Sequence, residues 1–124
     1  YKPGEKFTNR QNKWDKTVTD RGDIYAVLYR NIDDKGQSVT LDGSNVRSSN
    51  LIVATAIIDE VKTTDSWTFF NIPFTYTTEI DPAVLAKHGY SLAVVFPSSF
   101  KGADFQGAVG STLCIDDVHL SWDE

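Results

Sequence analysis

Cysteine is nearly missing from these 124 residues: Cys114 stands alone, beside two histidines and no methionine. One thiol cannot close an internal disulfide, so cysteine usage neither supports nor excludes secretion. His88 and His119 have no second histidine or cysteine at zinc-ligand spacing, which argues against a zinc site. No apolar stretch approaches the roughly 20 residues of a membrane-spanning helix. Positive charge is scarce beyond the first part of the chain. Residues 1–35 hold 8 basic against 6 acidic side chains and the remainder 4 against 11, for a net charge of −5. With no basic stripe, phosphate backbones are repelled and nucleic acid is not an expected partner. There is no internal repeat and no low-complexity segment. Neither a methionine nor a leader-like apolar run opens the chain, and Tyr1-Lys2-Pro3-Gly4 reads as the start of a piece cut from a longer precursor.

The chain is 40% hydrophobic and 12% aromatic, enough to offset the entropy of ordering a compact core. Its length fits one domain over residues 1–124. Residues 1–22 are polar, with Phe7, Trp14 and Val18 as the sizeable apolar groups, and read as a short strand or extended entry followed by a loop. Asp23 to Arg30 is a strand with Ile24, Ala26 and Leu28 on one face and Tyr25, Val27 and Tyr29 on the other. Asp33-Asp34-Lys35-Gly36 is a turn. A short strand over Ser38–Leu41 follows, closed by Asp42-Gly43-Ser44-Asn45. The β-branched run from Leu51 to Ile58 suits a strand buried on both faces. Trp67 to Tyr76 reads as a long strand that lies at an edge or breaks at Pro73. Asp81 to Gly89 is the one helical signal, with Asp81 to cap it, Pro82 at its first position and Gly89 to stop it. Tyr90–Phe96 and Ser111–Trp122 complete six strands. Strands about ten residues apart, separated by turns, indicate an antiparallel sandwich or barrel.

Several of these stretches resemble one family: Tyr1-Lys2-Pro3-Gly4-Glu5, Asp23 to Tyr29, Trp67 to Tyr76, Gly89 to Phe96, Gly107 to Leu113 and Ile115-Asp116-Asp117-Val118. In order, and through nearly the whole chain, they are similar to the putative carbohydrate metabolism domain of Bacteroides-type surface proteins. The resemblance implies an all-β, jelly-roll-type antiparallel β-sandwich of the galactose-binding-like kind with one short helix, in a lipoprotein or exported protein of the periplasm or outer-membrane surface. The family's domain is nearly twice as long and a jelly roll has about eight strands. The chain is therefore expected to be the C-terminal portion of a larger domain, with an exposed edge or patched core where the N-terminal remainder of the protein belongs.

Candidate chemistry is sparse. Glycoside hydrolysis needs two carboxyl groups facing each other about 5 to 9.5 Å apart. The acidic pairs Asp33-Asp34, Asp59-Glu60, Asp116-Asp117 and Asp123-Glu124 are neighbours, and neighbours on a strand point to opposite faces; turn and strand-end roles account for most. Cys114, between Leu113 and Ile115, reads as a buried, inert thiol, and His119 as solvent-facing. By resemblance to sugar-binding jelly rolls, Asp116 would bind a structural Ca²⁺ through oxygen ligands; the other reading has both aspartates bonded to nearby backbone. Sugar binding calls for an aromatic ring on the pyranose face. Trp14, in the polar run Gln11 to Asp15, either does this or caps the sandwich. Phe100 and Phe105, in the Ser98–Gly110 loop, either stack on a ligand or pin that loop. Trp67 and Trp122 are expected in the core. Arg21-Gly22-Asp23 spells the integrin tripeptide, but its Asp opens a strand and the match reads as coincidence.

The expected function is a non-catalytic, glycan-binding module of an exported protein, its partners a polysaccharide and the N-terminal remainder. A glycoside hydrolase and a structural or adhesion spacer stand as alternatives.

Overall fold

The computed structural model describes residues 1–122. Apart from one short helix, α1 (Pro82–Ala86), and a 3₁₀ turn at Gly102–Asp104, the regular structure is antiparallel sheet. The strands are β1 (Phe7–Thr8), β2 (Gly22–Arg30), β3 (Ile52–Val61), β4 (Thr75–Tyr76), β5 (Tyr90–Val95) and β6 (Gly107–Ala108). Four form a sheet in the order β4-β3-β2-β5, while β1 and β6 make a separate ribbon. This is the expected all-β sandwich-type fold.

β2 sits at the centre because both its faces are apolar. Val27 pairs with Thr55 and Ala93, and Ala26 with Ala56 and Val94, so side chains level with each other share a face. On one face Tyr25, Val27 and Tyr29 are buried against Leu41 and Val46, with Ile52, Ile57, Ala93 and Val95 packed around them. The loop between β2 and β3 lies over this face and forms a small core. Its Asp42–Val46 turn is tied by the Asp42 carboxylate, which accepts from the Ser44 amide at 2.8 Å and from the Ser44 hydroxyl. The opposite face of β2, carrying Ile24, Ala26 and Leu28, is only partly covered.

α1 forms where its caps predict. Asp81 has an extended backbone and its carboxylate accepts from the Ala83 amide at 2.9 Å, satisfying an orphan donor of the first turn. The stop differs in detail. The left-handed residue is His88, at φ 56°. Gly89 is buried instead, in a place where a Cβ would lie 2.9 Å from the Val84 carbonyl oxygen.

Five expectations are corrected. Of Trp67–Tyr76 only Thr75–Tyr76 is strand. Beyond an isolated bridge between Lys2 and Thr112, the Ser111–Trp122 stretch has no strand among the described residues. Ser38 makes only a bridge to Ile32, not a strand through Leu41. Trp67 and Trp122 are not core residues but 73% and 79% exposed, and Cys114 is exposed as well. One cause underlies the failures at 67–76, 111–122 and the two tryptophans. Alternating apolar residues mark a segment for burial in a sandwich, yet pairing needs a neighbouring strand, and the described residues supply none for residues 67–74 and 113–122.

Candidate functional site

Two hollows flank the central sheet, one on each face. The larger is an open trough of about 860 Å³ over the Ile24–Ala26 side of β2, continued by Leu92, Val94 and Phe96. Its banks are the two unpaired stretches, residues 64–74 and 113–122. Trp67, Phe69, Leu120 and Trp122 stand largely exposed along it. An apolar surface of this extent is unusual for a protein face in contact with water.

The smaller is a cleft of about 170 Å³ on the tyrosine side, where the start of β2 meets the 43–48 loop and the segment after β5. β2 supplies Asp23 and Tyr25, the loop supplies Ser44, Arg47 and Ser48, and the segment after β5 supplies Ser99 and Phe100. The β2–β3 register shifts beside Asp23, an irregularity of the kind that re-aims side chains at strand ends. Asp23 is nearly buried, and its backbone N–H donates to the Pro97 carbonyl at 3.1 Å. The Arg47 guanidinium lies 4.9 Å above the Tyr25 ring, a cation–π geometry. Burial pushes the Tyr25 phenol above its ordinary value; Arg47 opposes this and Asp23 adds to it. The burial of Gly22 and Asp23 in β2 also withholds the Arg21-Gly22-Asp23 tripeptide from an integrin-like partner.

Asp20 fixes this end of the molecule. It is 3% exposed, and its Oδ2 accepts from the Ser99 hydroxyl at 2.6 Å, the Ser111 hydroxyl at 2.6 Å and the Ala108 amide at 3.1 Å. A buried carboxylate is tolerable only with such partners. The Phe100 amide donates to the Arg21 carbonyl at 2.8 Å, so the loop behind the cleft is anchored to the start of β2.

The three aromatic candidates are not brought together in one pocket. Phe100 reaches the cleft, but Phe7 stacks on it at 5.7 Å and the Arg21 guanidinium lies 3.8 Å from its centroid. It thus forms a braced wall of the cleft. Phe105 is 86% exposed with a left-handed backbone, φ 59°. Trp14 is half-exposed, with Lys6 and Lys16 ammonium groups 5.0 and 4.9 Å from its ring. Asp116 lies on the far side of the sheet, along the trough. Its neighbour Asp117, at φ 59°, pairs with His119 Nε2 at 2.8 Å. Among the described residues no group of three His, Cys, Asp or Glu side chains gathers at metal-binding range, so a Ca²⁺ at Asp116 would draw most of its ligands from carbonyls or water.

Nothing in the sequence marks Asp20, Asp23 and Arg47 as sharing one end of the molecule. Asp20 and Asp23 are near neighbours at the start of β2, and only the folding of the 43–48 loop onto β2 brings Arg47 to the cleft that Asp23 borders.

The described residues form an all-β half-sandwich with a braced polar cleft at one end, and the comparisons associate such a module with carbohydrate metabolism. A family model described as "Putative carbohydrate metabolism domain" matches residues 1–121, and the chain belongs to that family. It is similar over its whole length to a solved structure from Bacteroides thetaiotaomicron described as a "putative glycoside hydrolase", with 41% identity and a TM-score of 0.89. It is also similar over 87% of its length to one from Bacteroides vulgatus described in the same words, at 33% identity and a TM-score of 0.72. The chain spans 36% of the first relative and 43% of the second. No curated protein matches the chain significantly.

Proposed function

We propose that this chain is a non-catalytic, glycan-binding module of an exported protein held at the periplasm or outer-membrane surface. The observation that carries the reading is the cleft beside Phe100. There a carboxylate (Asp23), a guanidinium (Arg47) and three serines border one hollow braced by aromatic rings. Sugars are read by such mixtures of donors and acceptors against an apolar wall. Trp14 and Phe105 provide exposed aromatic surface for further sugar units, and Asp116 is the proposed ligand of a structural Ca²⁺. The N-terminal remainder of the protein covers the trough, whose apolar lining and short supply of strand partners support that assignment.

The test is affinity electrophoresis of the chain through gels containing host and plant polysaccharides, with and without Ca²⁺. Retardation by at least one glycan is expected. Unchanged mobility in every gel would overturn the glycan-binding module and favour the structural spacer.

A hydrolytic reading draws on the descriptions of the two solved relatives. It places the activity in the whole protein, with Asp65, Asp116 and Asp117 on the trough as the acidic side chains this chain could contribute. Release of reducing ends by the whole protein, abolished in Asp116→Ala with binding intact, would favour it over the non-catalytic module.

A further inference from the structure

We infer that the outer face of the first hairpin, where the Lys6 and Lys16 ammonium groups lie beside the Trp14 ring, binds an anionic sugar unit, a pyranose bearing a carboxylate or a sulfate. The inference rests on the glycan-binding reading and names the charge of the sugar that Trp14 holds.

The backbone builds the platform. Thr8 bridges Trp14 antiparallel. The Asp15 amide donates to the Phe7 carbonyl at 2.8 Å, and the Asn9 amide to the Lys13 carbonyl at 2.9 Å. The turn between is closed by Asn9, whose Oδ1 accepts from the Gln11 and Lys13 amides at 3.1 and 3.0 Å, with Asn12 left-handed at φ 61°. Phe7 is buried and stacked on Phe100. Successive side chains of a strand alternate between faces, and directly opposite ones share a face. Lys6, Thr8 and Trp14 are therefore on the side away from Phe7, and the Lys16 ammonium joins them at the ring. A surface held this firmly loses little freedom when a ligand arrives.

Charge then selects the ligand. The Lys6 and Lys16 nitrogens lie 5.0 and 4.9 Å from the Trp14 centroid. A ring attracts an ammonium without neutralising it, and among the described residues neither lysine meets a carboxylate at ion-pair range. Asp15, next to Trp14 in the chain, turns its Oδ1 to the Thr17 amide and hydroxyl, at 3.0 and 2.6 Å. Residues 5–16 carry four basic side chains against two acidic, in a chain whose net charge is −5. Two ammonium groups drawn to one ring repel each other, and an anion beside both relieves that repulsion. A carboxylate or sulfate accepts charge-assisted hydrogen bonds, about twice as strong as those of a neutral hydroxyl. The half-exposed indole supplies apolar surface for the pyranose ring. A lipid surface fits less well, because the hairpin's other exposed residues, Arg10 to Lys13, are polar and give no apolar face to sink into a bilayer.

The experiment is a two-dimensional NMR titration of the chain at neutral pH and low salt, following the Trp14 indole N–H. The ligands are oligosaccharides of polygalacturonate and alginate for carboxylate, of carrageenan for sulfate, and of galactan and mannan as neutral sugars. Phosphatidylglycerol vesicles form a further arm. At least one anionic oligosaccharide should shift Trp14 and Thr8 at lower concentration than any neutral one, with affinity falling as salt is raised. Lys6→Gln and Lys16→Gln should each weaken that binding about threefold, and the double variant about tenfold. Both side chains are exposed, so these variants keep the fold. Trp14→Ala should abolish the binding, and Lys87→Gln, at an exposed lysine where α1 ends, should leave it unchanged. Tighter binding of the neutral oligosaccharides at Trp14, or anionic binding indifferent to the lysine variants, would overturn the charge assignment while leaving glycan binding intact. Shifts at the cleft beside Phe100 with none at Trp14 would overturn the site alone. A response to vesicles and to no sugar would replace both readings by a membrane contact. If nothing perturbs any residue, the glycan-binding reading falls together with this one.

Discussion

Asp20 illustrates how much one side chain can organise. Three donors from distant parts of the chain converge on its Oδ2, and hydrogen bonds to a charged group contribute about 1.5–3 kcal/mol each against an unmet partner. Asp20→Ala is expected to lower the unfolding free energy by about 3 kcal/mol in urea titrations, and Ser99→Ala, which removes one donor, by about 1 kcal/mol. Asp42 acts at the surface instead. The Ser44 hydroxyl, followed by backbone N–H groups, holds its carboxyl below the ordinary value. Because the folded value is the lower one, the turn gains stability above the ordinary carboxyl value of about 3.9 and loses it as pH falls through the folded value. In an NMR titration the Ser44 amide should therefore shift only below that ordinary value. Ser44→Ala should move the Asp42 midpoint upward toward it.

Among the elements, the closest approach lies where the N-terminal segment meets β6. A Cβ at Gly4 would overlap the Val109 carbonyl oxygen and come within 2.9 Å of Ala108, and these are stiff backbone neighbours. Gly4→Ala is expected to push this segment off the ribbon, lowering the melting temperature and removing the hydrogen bond from the Gly4 amide to Ser111. Loss of amide exchange protection at Gly4 and Ala108 is the measurement. The three long strands and α1 were legible in the sequence, since β-branched runs, two-sided apolar patterns and an Asp-Pro start depend on local chemistry. The stretches at 67–76 and 111–122 were not. Their alternation states which side chains want burial, but strand pairing is decided by a partner that no local pattern contains. Phe100 could be found from its glycine-bearing loop. Arg47 could not, because nothing in Asn45-Val46-Arg47-Ser48 foretells that its guanidinium lies over Tyr25.

At the scale of the molecule the two faces of the central sheet have opposite fates: one is sealed by Leu41 and Val46, the other opens into the trough. The 124-residue chain should therefore bind the dye ANS strongly and associate as its concentration rises. Trp67→Ser combined with Trp122→Ser should cut the fluorescence severalfold and shift the urea-unfolding free energy by no more than about 0.5 kcal/mol, since both rings are exposed. A large loss of stability would show instead that these rings support the fold. The ribbon of β1 and β6 has a different bearing. Phe7 meets Ala108 and Lys2 meets Thr112, joining positions about a hundred residues apart in the chain. Closing so long a loop is slow relative to zipping neighbouring strands. On a ribosome, β2 and β3 can pair while synthesis continues, but the opening residues must wait, solvated and unpaired, until Thr112 has cleared the exit tunnel. Every nascent copy thus passes through an interval in which its sheet exists and its seam is open.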